Sequence, residues 1–457
     1  MNPLHHTRDV PSNLSGEQVK KSLRNSILDG SAYSVTLGLT QNYITPYALT
    51  MKASTQQIGL LTSVPNFTMA AVQFAAPGLS ERIGSRKGFI LPMAIMHALM
   101  WLPVLLIPYM FQTQQVWWLI AFMTLSTAFD SALNPVWGSM MADLVPVQLR
   151  GRFFGLRNRI TAFVSMAFSY AAGGVLQLLT GNTNLAFTII FTGALASRLV
   201  SFYFLSKMYE PSSPATEKRG HESVLKIARG LFSTNTGMFI MLCALMNFTT
   251  TIAGPFFSPY MLLDLRFSYI VYTILNSAAG LATVGFMTWW GKRIDRAGSI
   301  KVLKITSLFV PFVAIGWALN NSLWWLIIMQ IFSGFAWAGF QLSSGVFIFD
   351  AAPPQNRTRY IALYNSLIYL GVSVGALTGG IVAPFLPPFM GSYFTSIFMV
   401  SGVARLAVAL FFLPRIKEVR KVPQLEAREL LFSDFQRPWR NRAYGYLAQH
   451  LRRRKMD

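Results

Sequence analysis

Asp130, Asn134 and Trp137 set an acid, an amide and an indole on one face of a single helical run, because positions i, i+4 and i+7 lie one above another on a helix. The surrounding residues are apolar. A carboxylate at the centre of a bilayer costs at least about 2.5 kcal/mol on insertion scales, so it needs a reason to be there. Two reasons fit Asp130: binding and releasing a proton or touching a polar solute, or hydrogen bonding between helices. Asp29 is the second candidate for handling a proton, with a pair to Arg24 or to a loop arginine as its alternative.

A polar stripe at helical spacing surrounds Asp29: Asn25, Asp29, Tyr33, Thr36, Thr40, Tyr43 and Tyr47, with Gln41 and Asn42 adding amides. Facing lipid, such a stripe would be expensive, so it is expected to face a polar interior. Tyr33, Thr36, Thr40, Gln41, Asn42 and Tyr43 are therefore candidates for binding a solute, together with Asn134, Trp137, Asn247, Asn276, Trp337 and Gln341. Interhelical hydrogen bonding is the competing role for the amides. Arg198 and Arg405 lie in apolar runs near one membrane face and are expected to snorkel toward it. His97 stands alone in its run, which suits a satisfied or interfacial histidine better than a proton relay.

Other chemistries find no support. Cys243 is the single cysteine, and no Cys/His spacing suits a metal, so neither metal nor cofactor is expected. No GxxxxGK[ST] loop occurs, and no acid, base and nucleophile converge, so neither ATP-driven transport nor an enzyme is expected.

The elements that must position these residues are twelve apolar runs, each near the roughly 20 residues a spanning helix needs, between residues 25 and 413. The chain has 457 residues, 53% hydrophobic and 12% charged, which is a membrane composition. Its net charge of +22 would suit nucleic acid, but the placement of the 39 Lys and Arg excludes that reading. All but Lys52, Arg266, Arg198 and Arg405 fall in one alternating set of loops and in the two tails. The positive-inside rule makes that side the cytoplasm and requires an even number of spans. The expected organisation is a tail (1–24), a six-helix bundle (25–207), a linker (208–235), a second bundle (236–413) and a basic tail (414–457). The linker contains an amphipathic stretch around Val224, Leu225, Ile227 and Leu231. The last tail could lie on an anionic leaflet or simply be solvated.

The two bundles repeat. Pro46-Tyr47 matches Pro259-Tyr260 at an offset of 213, and Glu81-Arg82 matches Asp295-Arg296 at 214. At 207, Trp117-Trp118-Leu119-Ile120 matches Trp324-Trp325-Leu326-Ile327, Asp143 matches Asp350, and Arg150 and Arg152 match Arg357 and Arg359. In that register Asp130 corresponds to Trp337 and Asn134 to Gln341, so only the first half carries the acid. Parallel repeats of this kind place a solute path between the halves.

The loops after helices 2 and 8 read PGLSERIGSRK and GKRIDRAGSIKVLK, and those after helices 4 and 10 read DLVPVQLRGRFFGLRN and DAAPPQNRTRYIALYN. They resemble the two signature loops of the major facilitator superfamily, the first written GxxxDRxGRRK. Pro77, Glu81 and Ile300 depart from it, and helix 5 lacks the glycine-proline signature of the proton-driven drug exporters. The resemblance implies an all-α integral membrane fold of twelve helices in two pseudo-symmetric six-helix bundles. It also implies secondary transport of a small organic solute by alternating access, as symporter or antiporter. Under it Glu81, Arg82, Asp143, Arg150, Arg152, Asp295, Arg296, Asp350, Arg357 and Arg359 are expected to form a latch that holds the cytoplasmic side closed. Arg86, Lys87, Lys301 and Lys304 are expected only to set topology. The expected partners are a small-molecule substrate, the lipid bilayer and protons, for a monomer in a bacterial cytoplasmic membrane with both termini inside. The alternative is a sensor or assembly protein on the same scaffold that transports nothing.

Overall fold

The computed structural model describes residues 16–145, 150–211, 234–352 and 357–419. The amphipathic part of the linker and nearly all of the basic tail lie outside these residues.

Without water to satisfy backbone groups, a lipid-embedded chain folds into helices that close their own hydrogen bonds. Twelve membrane-length rods result among the described residues. In the first half they are α1 (Gly16–Thr40, resuming after a turn as Ile44–Thr50), α2 (Thr55–Ile83), α3 (Arg86–Met110), α4 (Gln115–Leu144), α5 (Arg150–Leu178) and α6 (Thr183–Ser206). In the second they are α7 (Asn235–Asp264), α8 (Tyr269–Ala297), α9 (Ser299–Leu319), α10 (Leu323–Ala351), α11 (Arg357–Val382) and α12 (Tyr393–Phe412). Among the described residues ten of them are long and apolar enough to span by composition alone; α1, with Lys20, Lys21, Arg24 and Asp29, is more polar. Several rods run past the apolar runs expected at about 56–78 and 268–290, α2 to Ile83 and α8 to Ala297, carrying charged loop residues on helical ends.

Packing is duplicated as the repeat requires. In the first half α1 packs on α5 and α6, α2 on α4, and α3 on α4 and α6. In the second α7 packs on α11 and α12, α8 on α10, and α9 on α10 and α12. Between the halves α2 meets α11 and α5 meets α8, which are reciprocal pairs. The rods α1 and α7 are both interrupted toward the end away from the termini, here the far end. In α1 the break is the turn at residues 41–43, and in α7 it is a tight turn at Gly254–Phe256 followed by the widened turn Tyr260–Asp264. Pro255 removes a backbone donor at the second break, which accounts for the loss of regular helix there.

The buried core is not evenly shared. At the far end one continuous cluster crosses between the halves, holding Tyr43, Tyr47, Phe187 and Phe191 with Phe256, Tyr260, Trp317 and Phe398. At the near end each half keeps its own: Phe89, Leu133, Met140 and Leu205 in the first, Phe239, Leu303, Phe347 and Phe412 in the second. The halves are thus fused at the far end and separately packed at the near end.

Candidate functional site

Asp130 sits midway along α4, and its side chain is 22% exposed. A charged group at that depth does not face lipid, so its open side is polar. Its Oδ2 accepts a hydrogen bond from the Tyr33 hydroxyl of α1 at 2.8 Å, and the Asn134 amide donates to the Asp130 carbonyl at 3.1 Å. Oδ1 is flanked by Arg198 Nη2 of α6 at 3.5 Å and His97 Nδ1 of α3 at 3.6 Å.

Behind this carboxylate lies a buried polar layer. Arg198, 3% exposed, donates from Nε to His97 Nδ1 at 2.9 Å and from Nη1 to Ser201 Oγ at 3.0 Å. Ser201 donates in turn to Asp29 Oδ1 at 2.7 Å. The Arg198 guanidinium also covers the Tyr33 ring, 4.4 Å from its centre. One network therefore joins α1, α3, α4 and α6, linking the two acids through an arginine and a serine. Charged groups survive burial only when paired and hydrogen-bonded, and here each acid has such a partner.

This corrects one expectation and refines two others. Arg198 and Arg405 do not snorkel; both are buried. The helix face that carries them points into the bundle, where Arg198 meets the acid of α4. Arg405 has no such acid, because Trp337 stands at that place, and it donates to Ser401 Oγ at 3.1 Å, Val310 O at 3.3 Å and Thr250 O at 3.4 Å. His97 is a satisfied histidine, as its place in an apolar run suggested, and it accepts from Arg198 within the charged network. Asp29 is deeply buried and takes its hydrogen bond from Ser201, with Arg198 and the loop arginine Arg157 as its charged neighbours.

The predicted solute residues divide. Tyr33 and Asn134 bond to Asp130, while Trp137 lies two turns further along α4 with the Arg157 guanidinium 4.5 Å above its ring. On the facing half Gln341 is exposed, while Trp337, Asn247 and Asn276 are half-buried, the two amides bonded to Cys243 O and Tyr272 O of their own helices. Thr36 and Thr40 are turned away. Thr36 bonds to Ala194 O and Ser197 of α6, and Thr40 to Thr36 O, so the seam of α1 with α6 satisfies this part of the stripe.

Gln41, Asn42 and Tyr43 form the break in α1, and Gln41 is exposed there. The Tyr43 hydroxyl lies 2.6 Å from both Ser169 O of α5 and Thr273 Oγ1 of α8. Tyr272 of α8 donates to Asn42 O at 2.5 Å and lies 3.0 Å from Ser258 Oγ, so one phenol touches the breaks of α1 and α7. Ser373 of α11 donates to Ser63 O of α2 at 2.9 Å, and the two serine hydroxyls lie 3.1 Å apart. Beside them a Cβ on Gly59 would stand 2.7 Å from Ala376 O and 2.8 Å from Gly380 Cα. Only glycine permits this backbone approach between the halves. Every hydrogen bond described between the halves lies toward the far end.

At the near end Arg86 of α3 pairs with Asp143 of α4 at 2.7 Å, within the first half, so Arg86 does more than set topology. The Glu210 carboxylate, just past α6, accepts from Ser85 Oγ at 2.8 Å and Arg86 N at 2.5 Å, at the start of α3. Glu418, just past α12, accepts from Ile300 N at 2.8 Å in the copy. These acids were not expected, although Ser85/Ser299 at an offset of 214 and Glu210/Glu418 at 208 follow the two registers of the repeat to within one residue. Arg82, Asp295 and Arg296 are exposed, and Asp350 is half-buried. The side chains of Glu81, Arg150, Arg152, Arg357 and Arg359 lie outside the described residues.

Two six-helix bundles packed as duplicates, with a charged network at mid-depth, define a membrane transporter fold. A family model described as Major Facilitator Superfamily matches residues 27–319 and again 239–455, and the chain belongs to that superfamily of secondary transporters. A multi-drug resistance efflux pump PmrA homolog of Lactococcus lactis subsp. lactis (strain IL1403) is 24% identical over 294 residues, 63% of this chain and 70% of that protein. A variant of the nucleoside transporter NupG has the same fold, with a TM-score of 0.71 at 14% identity over 87% of this chain and 100% of that one. The D-xylose-proton symporter gives 0.66 at 15% identity over 89% and 97%.

Proposed function

We propose that the chain carries a small polar organic solute across a bacterial cytoplasmic membrane as a monomer, by alternating access, with proton coupling through Asp130 and Asp29. The observation that carries this reading is Asp130: a carboxylate at mid-depth, open to solvent on one side and joined on the other to a buried arginine, histidine and second acid. Protonating it removes the charge that holds Tyr33 and Arg198, so loading a proton and rearranging α1 against α4 and α6 become one event. Tyr33, Asn134 and Trp137 from one half, and Trp337, Gln341, Asn247 and Asn276 from the other, are the solute-binding set.

The far-end seam, with Tyr43, Tyr272 and Gly59, is the closed gate of this state. The near end is the open one, and its basic loops make it the cytoplasmic side. The duplicated charges of the near-end loops would close that side in the opposite state.

The test is transport in proteoliposomes. A thermal-shift panel that includes nucleosides, D-xylose and drugs, the cargoes named for the similar proteins, supplies a substrate. Flux of that substrate should follow an imposed pH gradient, and Asp130→Asn should abolish the gradient dependence while the protein still elutes as a folded monomer. Gradient dependence unchanged in Asp130→Asn removes the acid from coupling.

A further inference from the structure

We propose that His97 is a second proton-holding site of this network, and that Arg198 decides whether Asp130 can pass its proton there; the inference rests on the reading of Asp130 as the coupling acid. An arginine N–H can only donate, so the 2.9 Å bond from Arg198 Nε requires an unprotonated His97 Nδ1, with the ring proton on Nε2. That same Nδ1 lies 3.6 Å from Asp130 Oδ1. Oδ2 already accepts the Tyr33 hydroxyl, so a proton arriving on Asp130 belongs on Oδ1, facing Nδ1. Two donors, Arg198 Nε–H and Asp130 Oδ1–H, then compete for one lone pair.

While Arg198 holds that lone pair, the proton stays on Asp130. When α6 draws Arg198 off, the Oδ1–H bond breaks with its electron pair left on the carboxylate, and an Nδ1–H bond forms on the freed lone pair. Charge is conserved, a neutral acid and neutral imidazole becoming a carboxylate and an imidazolium. Arg198 Nη2, buried, without a hydrogen bond and 3.5 Å from Oδ1, is placed to take up the new carboxylate. The groups facing His97 are Asp130 from α4, Arg198 from α6 and Tyr33 from α1, whose ring meets the imidazole edge-on at 6.2 Å, with Asp29 of α1 behind Ser201. Trp101, one turn along α3, adds an uncharged edge contact.

His97 can be observed directly. The other four histidines, His5, His6, His221 and His450, lie in the tails and the linker, away from every span. The full chain, labelled with 15N-histidine in lipid nanodiscs, is titrated by NMR, with the His97 signals assigned by their loss in His97→Asn. The expected wild-type spectrum at alkaline pH is the Nε2-protonated neutral ring, giving way to imidazolium on acidification. In Asp130→Asn the imidazolium should fail to form over the same range, and in Arg198→Lys, which lacks the Nε donor, the imidazolium fraction should grow.

A wild-type ring protonated on Nδ1 in its neutral form overturns the proposal without needing any variant to fold. Titration identical in wild type and Asp130→Asn, or an unchanged imidazolium fraction in Arg198→Lys, overturns it as well. Flux measurements fail separately: gradient-independent transport would sink the coupling role of Asp130 whichever tautomer His97 shows.

Discussion

The hydroxyl of Tyr272 in the second half donates to the main-chain carbonyl of Asn42 in the first across 2.5 Å. That carbonyl is available because α1 breaks at residues 41–43. An interrupted helix thus supplies the acceptor, and the facing half supplies the donor.

Tyr272→Phe should loosen the far end without unfolding it. Losing a neutral hydrogen bond is worth about 0.5–1.5 kcal/mol, a change of roughly 2- to 13-fold in the population of far-end-open molecules. Spin labels at Gln112→Cys and Asn321→Cys, in a Cys243→Ser background, report that population as a distance distribution.

Gly59→Leu should act more severely. Even a Cβ at this position meets Ala376 O and Gly380 Cα, so the halves cannot close there. The same label pair should show only the far-end-open distance, and flux should vanish while the monomer remains intact.

Arg198→Leu and Arg405→Leu form a matched pair. Removing Arg198 strips two acids of their partner, a change of the kind that destabilises by about 3–5 kcal/mol. Arg405 touches only neutral oxygens among its described partners, so its replacement by an apolar side chain should be near neutral. Thermal melting followed by size-exclusion chromatography should drop sharply for the first and little for the second.

Glu210→Gln should weaken the start of α3. The carboxylate sits on the unsatisfied amides of a helix N-terminus, where a negative charge contributes about 0.3–1 kcal/mol when exposed and up to about 2 kcal/mol when partly buried. A modest fall in melting temperature, reduced further by salt in the wild type than in the variant, is the expected result.

Much of this was legible in the residues. Span positions follow from length and hydropathy, and the two-half packing follows from the repeat, because matching sequences must bury matching faces. The acid at Asp130 was legible for the same reason that it is costly. Its partners were not joined to it, since a helix that is apolar all round gives no sign of which face turns inward. Arg198 and His97 stand 68 and 33 positions from Asp130, on other helices. A signal was present nonetheless. A mid-depth acid needs a cation, and few cations other than Arg198 and Arg405 lie within apolar runs. The fate of Thr36, Thr40 and Tyr43 was hidden because a polar stripe is satisfied equally well by a neighbouring helix or by a solute.

The far-end seam joins the halves through four described hydrogen bonds between uncharged groups. Breaking them strips no ion of its counter-ion, so these bonds together contribute a few kcal/mol at about 0.5–1.5 kcal/mol each. One elementary charge crossing a potential of 100 mV releases about 2.3 kcal/mol. The hydrogen-bonded part of the seam and one elementary charge crossing that potential are therefore on the same energetic scale, with the apolar cluster around Tyr43 and Phe256 adding to what holds the far end closed.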